Sequence, residues 1–257
     1  MYINYAEWGP IGSQIVFIHK NDIYYKSDAN AAPIRLTNSG KEMVIYNGLP
    51  DWVYEEEIFN EPKTFWLSPA GTKLVYTTID DSAVDLMTWP YYSTGKLPQG
   101  YYNQYTKIEK VRYPKPGRSN PTIKLHYIDL TQLHDYNGSI GKLTVHLKPP
   151  KDITDYGDHY LTTLKWIDDN VVAANWMNRA QNFSVMTCYS SRANLEPISN
   201  FKLQSSNGWI DLFKPPVVTP DRESYILRVP KMSDNKKDVF PHIAKVSVSV
   251  RHSIRFL

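Results

Sequence analysis

The chain has 257 residues, 42% apolar and 21% charged, which is enough for one large or two small domains with a sizeable core. Its formal net charge of +3, spread along the whole sequence, lacks the basic bias of a nucleic-acid binder, and no run reaches the ~18 apolar residues of a membrane span. The 19 tyrosines, 7 tryptophans and 18 prolines, set among Val, Ile and Thr runs, point to strands and turns rather than helices.

The N-terminus, Met1 to Trp8, has neither the basic start nor the apolar centre of a signal peptide. From Trp8 the segment Trp8-Gly9-Pro10-Ile11-Gly12-Ser13-Gln14-Ile15-Val16-Phe17 reads as an aromatic closing one strand, a Pro/Gly turn and an apolar run opening the next. Strands are predicted over 14–19 and 22–26. The same pattern returns at Trp66-Leu67-Ser68-Pro69-Ala70-Gly71-Thr72-Lys73-Leu74-Val75-Tyr76, and in weaker copies at Trp166–Ala173 and Val217–Leu227. Repeats of short strands and turns at this spacing are the mark of a propeller, whose blades are small antiparallel sheets. An ordinary β-sandwich need not repeat one turn motif.

Between the first two copies lies Asp51-Trp52-Val53-Tyr54-Glu55-Glu56-Glu57-Ile58-Phe59. Three consecutive carboxylates repel one another, and a bound cation relieves that cost. In a helical turn two of the three converge on one point while the third faces away. An ammonium group suits two converging carboxylates. The alternative is a solvated acidic helix face.

After a predicted strand at 73–78, the region 91–117 is rich in Tyr, Lys and Pro, and reads as an extension inserted into a blade. Its aromatics suit a subunit contact better than base stacking. Further strands are predicted over 122–129, 161–166, 171–175, 182–188 and 225–229. Asn137-Gly138-Ser139 and Asn182-Phe183-Ser184 fit the N-glycosylation pattern, and the single cysteine, Cys188, has no partner in the chain. The seven histidines are scattered without ligand spacing, so neither a metal nor a cofactor is implied.

Ile45-Tyr46-Asn47-Gly48-Leu49-Pro50-Asp51-Trp52-Val53-Tyr54-Glu55-Glu56-Glu57 resembles the glutamate motif of the dipeptidyl peptidase IV family. The resemblance continues through Trp66–Pro69, Tyr113–Gly117, Asn120–Thr122, Gly157–Tyr160, Trp176–Asn182 and Gly208-Trp209. In that family an eight-bladed propeller caps an α/β-hydrolase domain. The resemblance implies an all-β partial propeller of about four antiparallel blades with one short acidic helix, opening part-way through a blade. Residues 1–246 are then the propeller portion, 91–117 its inserted arm and 247–257 a divergent tail.

It further implies that Glu56 and Glu57 bind the α-amine of peptide N-termini, and that Ile58, Phe59, Phe213 and Lys214 lie near the substrate pocket. Lys214 stands where the active family members have arginine. The arm implies a family-type homodimer, and Cys188 matches one cysteine of a family disulfide. No Gly-Xaa-Ser-Xaa-Gly elbow occurs among the 257 residues, so the expectation is a non-catalytic portion of a serine exopeptidase, located outside the cell as part of a type II membrane protein or a secreted one. The alternative is a non-enzymatic relative that acts as an accessory subunit of voltage-gated potassium channels. Trp176–Asn182 and Phe240–Ala244 look closer to that branch.

Overall fold

The structure, a computed structural model, describes residues 2–92, 105–133, 140–232, 239–249 and 254–257. Its first sheet consists of β1 (Tyr5–Trp8), β2 (Ile15–His19), β3 (Asp22–Lys26) and β4 (Ile34–Arg35), each antiparallel to the next. Four strands thus stand where the sequence implies a partial blade. The second sheet is built on β5 (Ile45–Asn47), β6 (Phe65–Leu67) and β7 (Lys73–Asp80). A separate hairpin follows, β8 (Leu86–Tyr91) with β9 (Lys107–Arg112), and the sheet is completed by β10 (Thr122–Asp129) and β11 (Thr144–Leu147). The third sheet holds β12 (His159–Trp166), β13 (Val171–Asn178), β14 (Phe183–Ser190) and β15 (Pro197–Gln204). The fourth holds β16 (Val217–Val218), β17 (Ser224–Met232), β18 (Val239–Ser247) and β19 (Ile254–Phe256). The protein is all-β, a partial propeller of four antiparallel sheets, and the last strand lies within residues 247–257.

Each of the four turn repeats joins the first strand of a sheet to the next: β1 to β2, β6 to β7, β12 to β13 and β16 to β17. These turns converge on one cleft of about 680 Å³, lined by Trp8, Trp66, Trp166 and Pro220 among others. The Trp166 indole N–H donates to the Trp66 carbonyl at 3.1 Å, tying two of the turns together.

Side chains alternate between the faces of a strand, so a strand between two sheets must be apolar on both. On β7, Leu74 and Tyr76 enter the core shared with the first sheet, whereas Val75 and Ile79 enter the core shared with the third. On β13, Val172, Ala174 and Trp176 face that second core, and Val171, Ala173 and Met177 face a third core made with the fourth sheet. Every residue of β13 is buried. Trp176 is fully enclosed, its indole donating to the Tyr189 hydroxyl at 3.0 Å, which in turn donates to the Lys148 carbonyl at 2.6 Å.

The predicted strands are all present, most of them longer than predicted: 161–166 extends to His159–Trp166 and 225–229 to Ser224–Met232. β9 lies in the region read as an extension, and its partner β8 runs into that region from before it; residues 93–104 of the arm and Asn137 fall outside the described residues. Cys188, unpaired, is fully buried in the third core beside Ser199, and burial pushes its thiol up to about 11. At pH 8 the folded chain is therefore expected to resist alkylation by iodoacetamide, with one equivalent incorporated rapidly once urea exposes the thiol; stoichiometric labelling of the folded chain by mass spectrometry contradicts this burial.

Candidate functional site

The acidic segment occupies a break in the second sheet. β5 and β6 both pair with β7 on the same edge, Ile45–Asn47 against Asp80–Thr78 and Phe65–Leu67 against Tyr76–Leu74. Residues 48–64 leave the sheet between them. Thr77 closes the mouth of this excursion: its carbonyl accepts from Gly48 N–H at 2.9 Å, its N–H donates to the Thr64 carbonyl at 2.9 Å, and its hydroxyl donates to that of Thr64 at 2.6 Å. Gly48 has φ +70°, and a Cβ there meets the end of the Ile23 side chain at 2.9 Å, so this corner favours glycine.

Within the excursion, Tyr54–Phe59 forms a single π-helical turn rather than the α-helical turn assumed from the sequence. Such i→i+5 turns concentrate at functional sites. Asp51, 2% exposed, starts the turn: its carboxylate accepts from the N–H groups of Val53 and Tyr54, both at 3.1 Å. Burial pushes this carboxyl up to about 6, against the opposing pull of those N–H donors. Asn60, at φ 53°, ends the turn in the left-handed region. Val53, Tyr54 and Ile58 sink into the core between the second and third sheets. Glu55, Glu56 and Glu57 are exposed, and none makes an ion pair with a described residue.

Glu57, Ile58 and Phe213 line one cleft of about 590 Å³. Trp52, Tyr113, Asn120, Tyr160, Arg179 and Gln181 share its walls. The Trp52 ring meets Tyr113 edge-on with centroids 4.5 Å apart, which packs the start of the acidic turn against the chain leaving the arm. Arg179 is held by Asp158 at 2.8 Å and by the Arg118 carbonyl at 2.6 Å, and Asn120 donates to the Tyr160 hydroxyl at 2.6 Å. Glu56 is exposed one position before Glu57, outside the residues that line the cleft. Phe59 turns instead onto Trp66 and Tyr54, both with centroids 5.5 Å away. Lys214 is exposed beside Phe213 but does not line the cleft. Of the six residues assigned from the sequence, three therefore meet in one cavity. Arg179, Tyr160 and Asn120 were missed as lining residues, although each lies in a segment quoted for the resemblance. Among the described residues no group of three or more His, Cys, Asp or Glu could hold a metal.

Residues 1–256 match the family described as "Dipeptidyl peptidase IV (DPP IV) N-terminal region". The chain belongs to that family. It is 36% identical to dipeptidyl peptidase 4 of Sus scrofa over 85% of its own length, and 34% identical to the inactive dipeptidyl peptidase 10 of Rattus norvegicus over 97%. It spans only 28% of the first relative and 30% of the second. The crystal structure of Porphyromonas gingivalis dipeptidyl peptidase 4 superposes with a TM-score of 0.73 at 22% identity, covering 97% of this chain and 32% of that one, a likeness of fold. This protein is thus an N-terminal propeller region of the dipeptidyl peptidase IV type, a family that includes inactive members.

The Asp51 cap gives a local test. Asp51→Ala leaves two buried N–H groups without acceptors, a cost of about 1–3 kcal/mol. At pH 6 the amides of residues 53–57 are expected to exchange at least ~10-fold faster in this dipeptidyl-peptidase-type chain while β13 stays protected, as read by hydrogen exchange with mass spectrometry. Equal protection of residues 53–57 in both proteins removes the capping role.

Proposed function

We propose that this chain grips the free α-amine of a peptide with Glu56 and Glu57 and gates access to the hydrolase domain of a dipeptidyl peptidase IV-like serine exopeptidase. One observation carries the reading: Glu57 shares a cleft with Ile58 and Phe213, and no described cation satisfies the glutamates. An amine held there by charge-assisted hydrogen bonds gains about 1.5–3 kcal/mol per bond, while the apolar walls accept the adjoining side chains. Fixing the amine sets how far along the peptide the scissile bond falls, which is the basis of dipeptide release.

Calorimetric titration with a Gly-Pro-headed peptide tests this. Binding is expected to be lost on N-acetylation and to weaken at least ~10-fold in Glu57→Gln, equivalent to about 1.4 kcal/mol, with Glu55→Gln nearly silent. Equal affinity for the acetylated peptide returns the three glutamates to a solvated acidic face.

A second reading, a non-catalytic parent, draws support from the inactive dipeptidyl peptidase 10 among the relatives. Its partner on that reading is a potassium channel. Under either reading the arm serves a homodimer, with Tyr91, Tyr92, Tyr105 and Ile108 exposed on the described part of it.

We also propose an extracellular setting, in a secreted or type II membrane protein. No helix among the described residues is long and apolar enough to cross a membrane. Asn182 lies just before β14, and its backbone N–H and side-chain oxygen are both bound by Asn178, an arrangement that leaves its amide nitrogen for a glycan. Expression through a secretory pathway is expected to add a glycan at Asn182 that Asn182→Gln abolishes; a mass shift unchanged by that substitution assigns it elsewhere.

A further inference from the structure

Three of the four repeated turns are built alike. In each, six residues separate a paired couple: Trp8 and Ile15, Leu67 and Leu74, Val218 and Tyr225. The first of the six donates its N–H to the carbonyl of the last, Gly9 to Gln14 at 2.8 Å, Ser68 to Lys73 at 2.9 Å and Thr219 to Ser224 at 3.0 Å. The second is proline, and the fourth has a left-handed backbone: Gly12 at φ 57°, Gly71 at φ 65° and Arg222 at φ 60°. That conformation is cheap for glycine and costly for a residue with a side chain. Strain of this kind persists where the side chain has a task.

Arg222 lines the 680 Å³ cleft on which the turns converge, together with Lys165, Lys63, Glu7, Ser68 and Trp8. Lys63 is neutralised by its ion pair with Glu7, the one carboxylate in that lining. Lys165 and Arg222 pair with no described acid, so the cleft holds two uncompensated positive charges. Ser68 is fully buried, and its hydroxyl oxygen has no hydrogen-bond partner. Trp8 is 66% exposed, and its indole meets no other ring among the described residues. The walls are fixed in advance. Gln14 Nε2 donates to the Gly71 carbonyl at 3.0 Å, Ala70 N–H donates to the Asp169 carboxylate, and Trp166 binds the Trp66 carbonyl, which ties the first three turns together.

We propose that this cleft is a binding site for a small phosphate monoester carrying a flat ring, with the phosphate held by Arg222 and Lys165 and the ring laid on Trp8. Two free cations match a phosphate of nearly two charges better than a single carboxylate, and the guanidinium fork suits its paired oxygens. The Ser68 hydroxyl supplies a neutral donor in the same space. An exposed indole offers a stacking face, and the volume is that of a small-molecule site. This cleft shares no lining residue with the one that holds Glu57, so the inference stands apart from the amine-binding reading.

Calorimetric titration of the full 257-residue chain with phenyl phosphate, inorganic phosphate and benzoate at about pH 7.5 tests the proposal. Phenyl phosphate is expected to bind one to one, at least ~10-fold tighter than either of the others. Arg222→Gly is expected to weaken it at least ~10-fold while the thermal midpoint stays level or rises, since glycine accepts φ 60° without strain. Lys165→Gln weakens it similarly, and Trp8→Ala brings phenyl phosphate down to the affinity of inorganic phosphate. In the wild type, raising NaCl to about 0.5 M is expected to weaken binding, a measurement that needs no variant. No binding at millimolar phenyl phosphate, tighter binding of benzoate, insensitivity to salt, or unchanged affinity in Arg222→Gly overturns the proposal. So does a lowered midpoint in Arg222→Gly, which assigns the side chain to the fold.

Discussion

The structure depends on one requirement: a sheet of three or four strands is stable only when neighbours cover its faces. The second and third sheets meet it on both sides, which is why Leu74 and Val75 belong to different cores and why β13 has no exposed residue. Propeller stacking follows from that requirement. A strand coated on both faces has no polar side, and its sheet can only be packed between others. The first and fourth sheets each have one inner face in a described core, and Val217, Phe240 and Ile243 remain exposed on the fourth.

The same packing builds the site. The acidic turn is short and could not hold its shape alone, because nucleating one turn fixes several residues for few hydrogen bonds. It is held instead by what surrounds it: Tyr54 and Ile58 in the core between sheets, Asp51 at its start, and Thr77 and Gly48 at its mouth. Exposure of three adjacent carboxylates is thereby paid by apolar burial on the opposite side of the same turn. The membership of Glu57, Phe213 and Arg179 in one cleft is a product of the third sheet docking on the second, not of any local motif.

Much of this was legible in the sequence. The strands at 15–19, 22–26 and 122–129 follow from Val/Ile/Thr/Tyr runs bounded by Asn, Gly and Pro, and the four turn copies landed on equivalent corners of four sheets. The splitting of the first strand of the second sheet was not legible, since Ile45–Asn47 and Phe65–Leu67 are too short to signal pairing with one neighbour. The π turn was also hidden: a run of Glu favours helix of any pitch, and the pitch is set by where Tyr54 and Ile58 must be buried. Arg179 and Tyr160 gave no local signal as cleft residues, because their role depends on strands far apart in the chain. Asp51 carried no signal of its own in the sequence, and only its enclosure makes it unusual.

The interrupted strand has a consequence for how such a chain can change. β5 and β6 keep their registers on β7 whatever lies between them, because the ladder is closed at Gly48, Thr64 and Thr77 rather than through the excursion. Segments between those closure points can lengthen, shorten or be exchanged without displacing a ladder hydrogen bond. The sheet thus provides a socket into which recognition elements can be grafted. A propeller scaffold with such a socket can diverge in what it recognises faster than in how it folds.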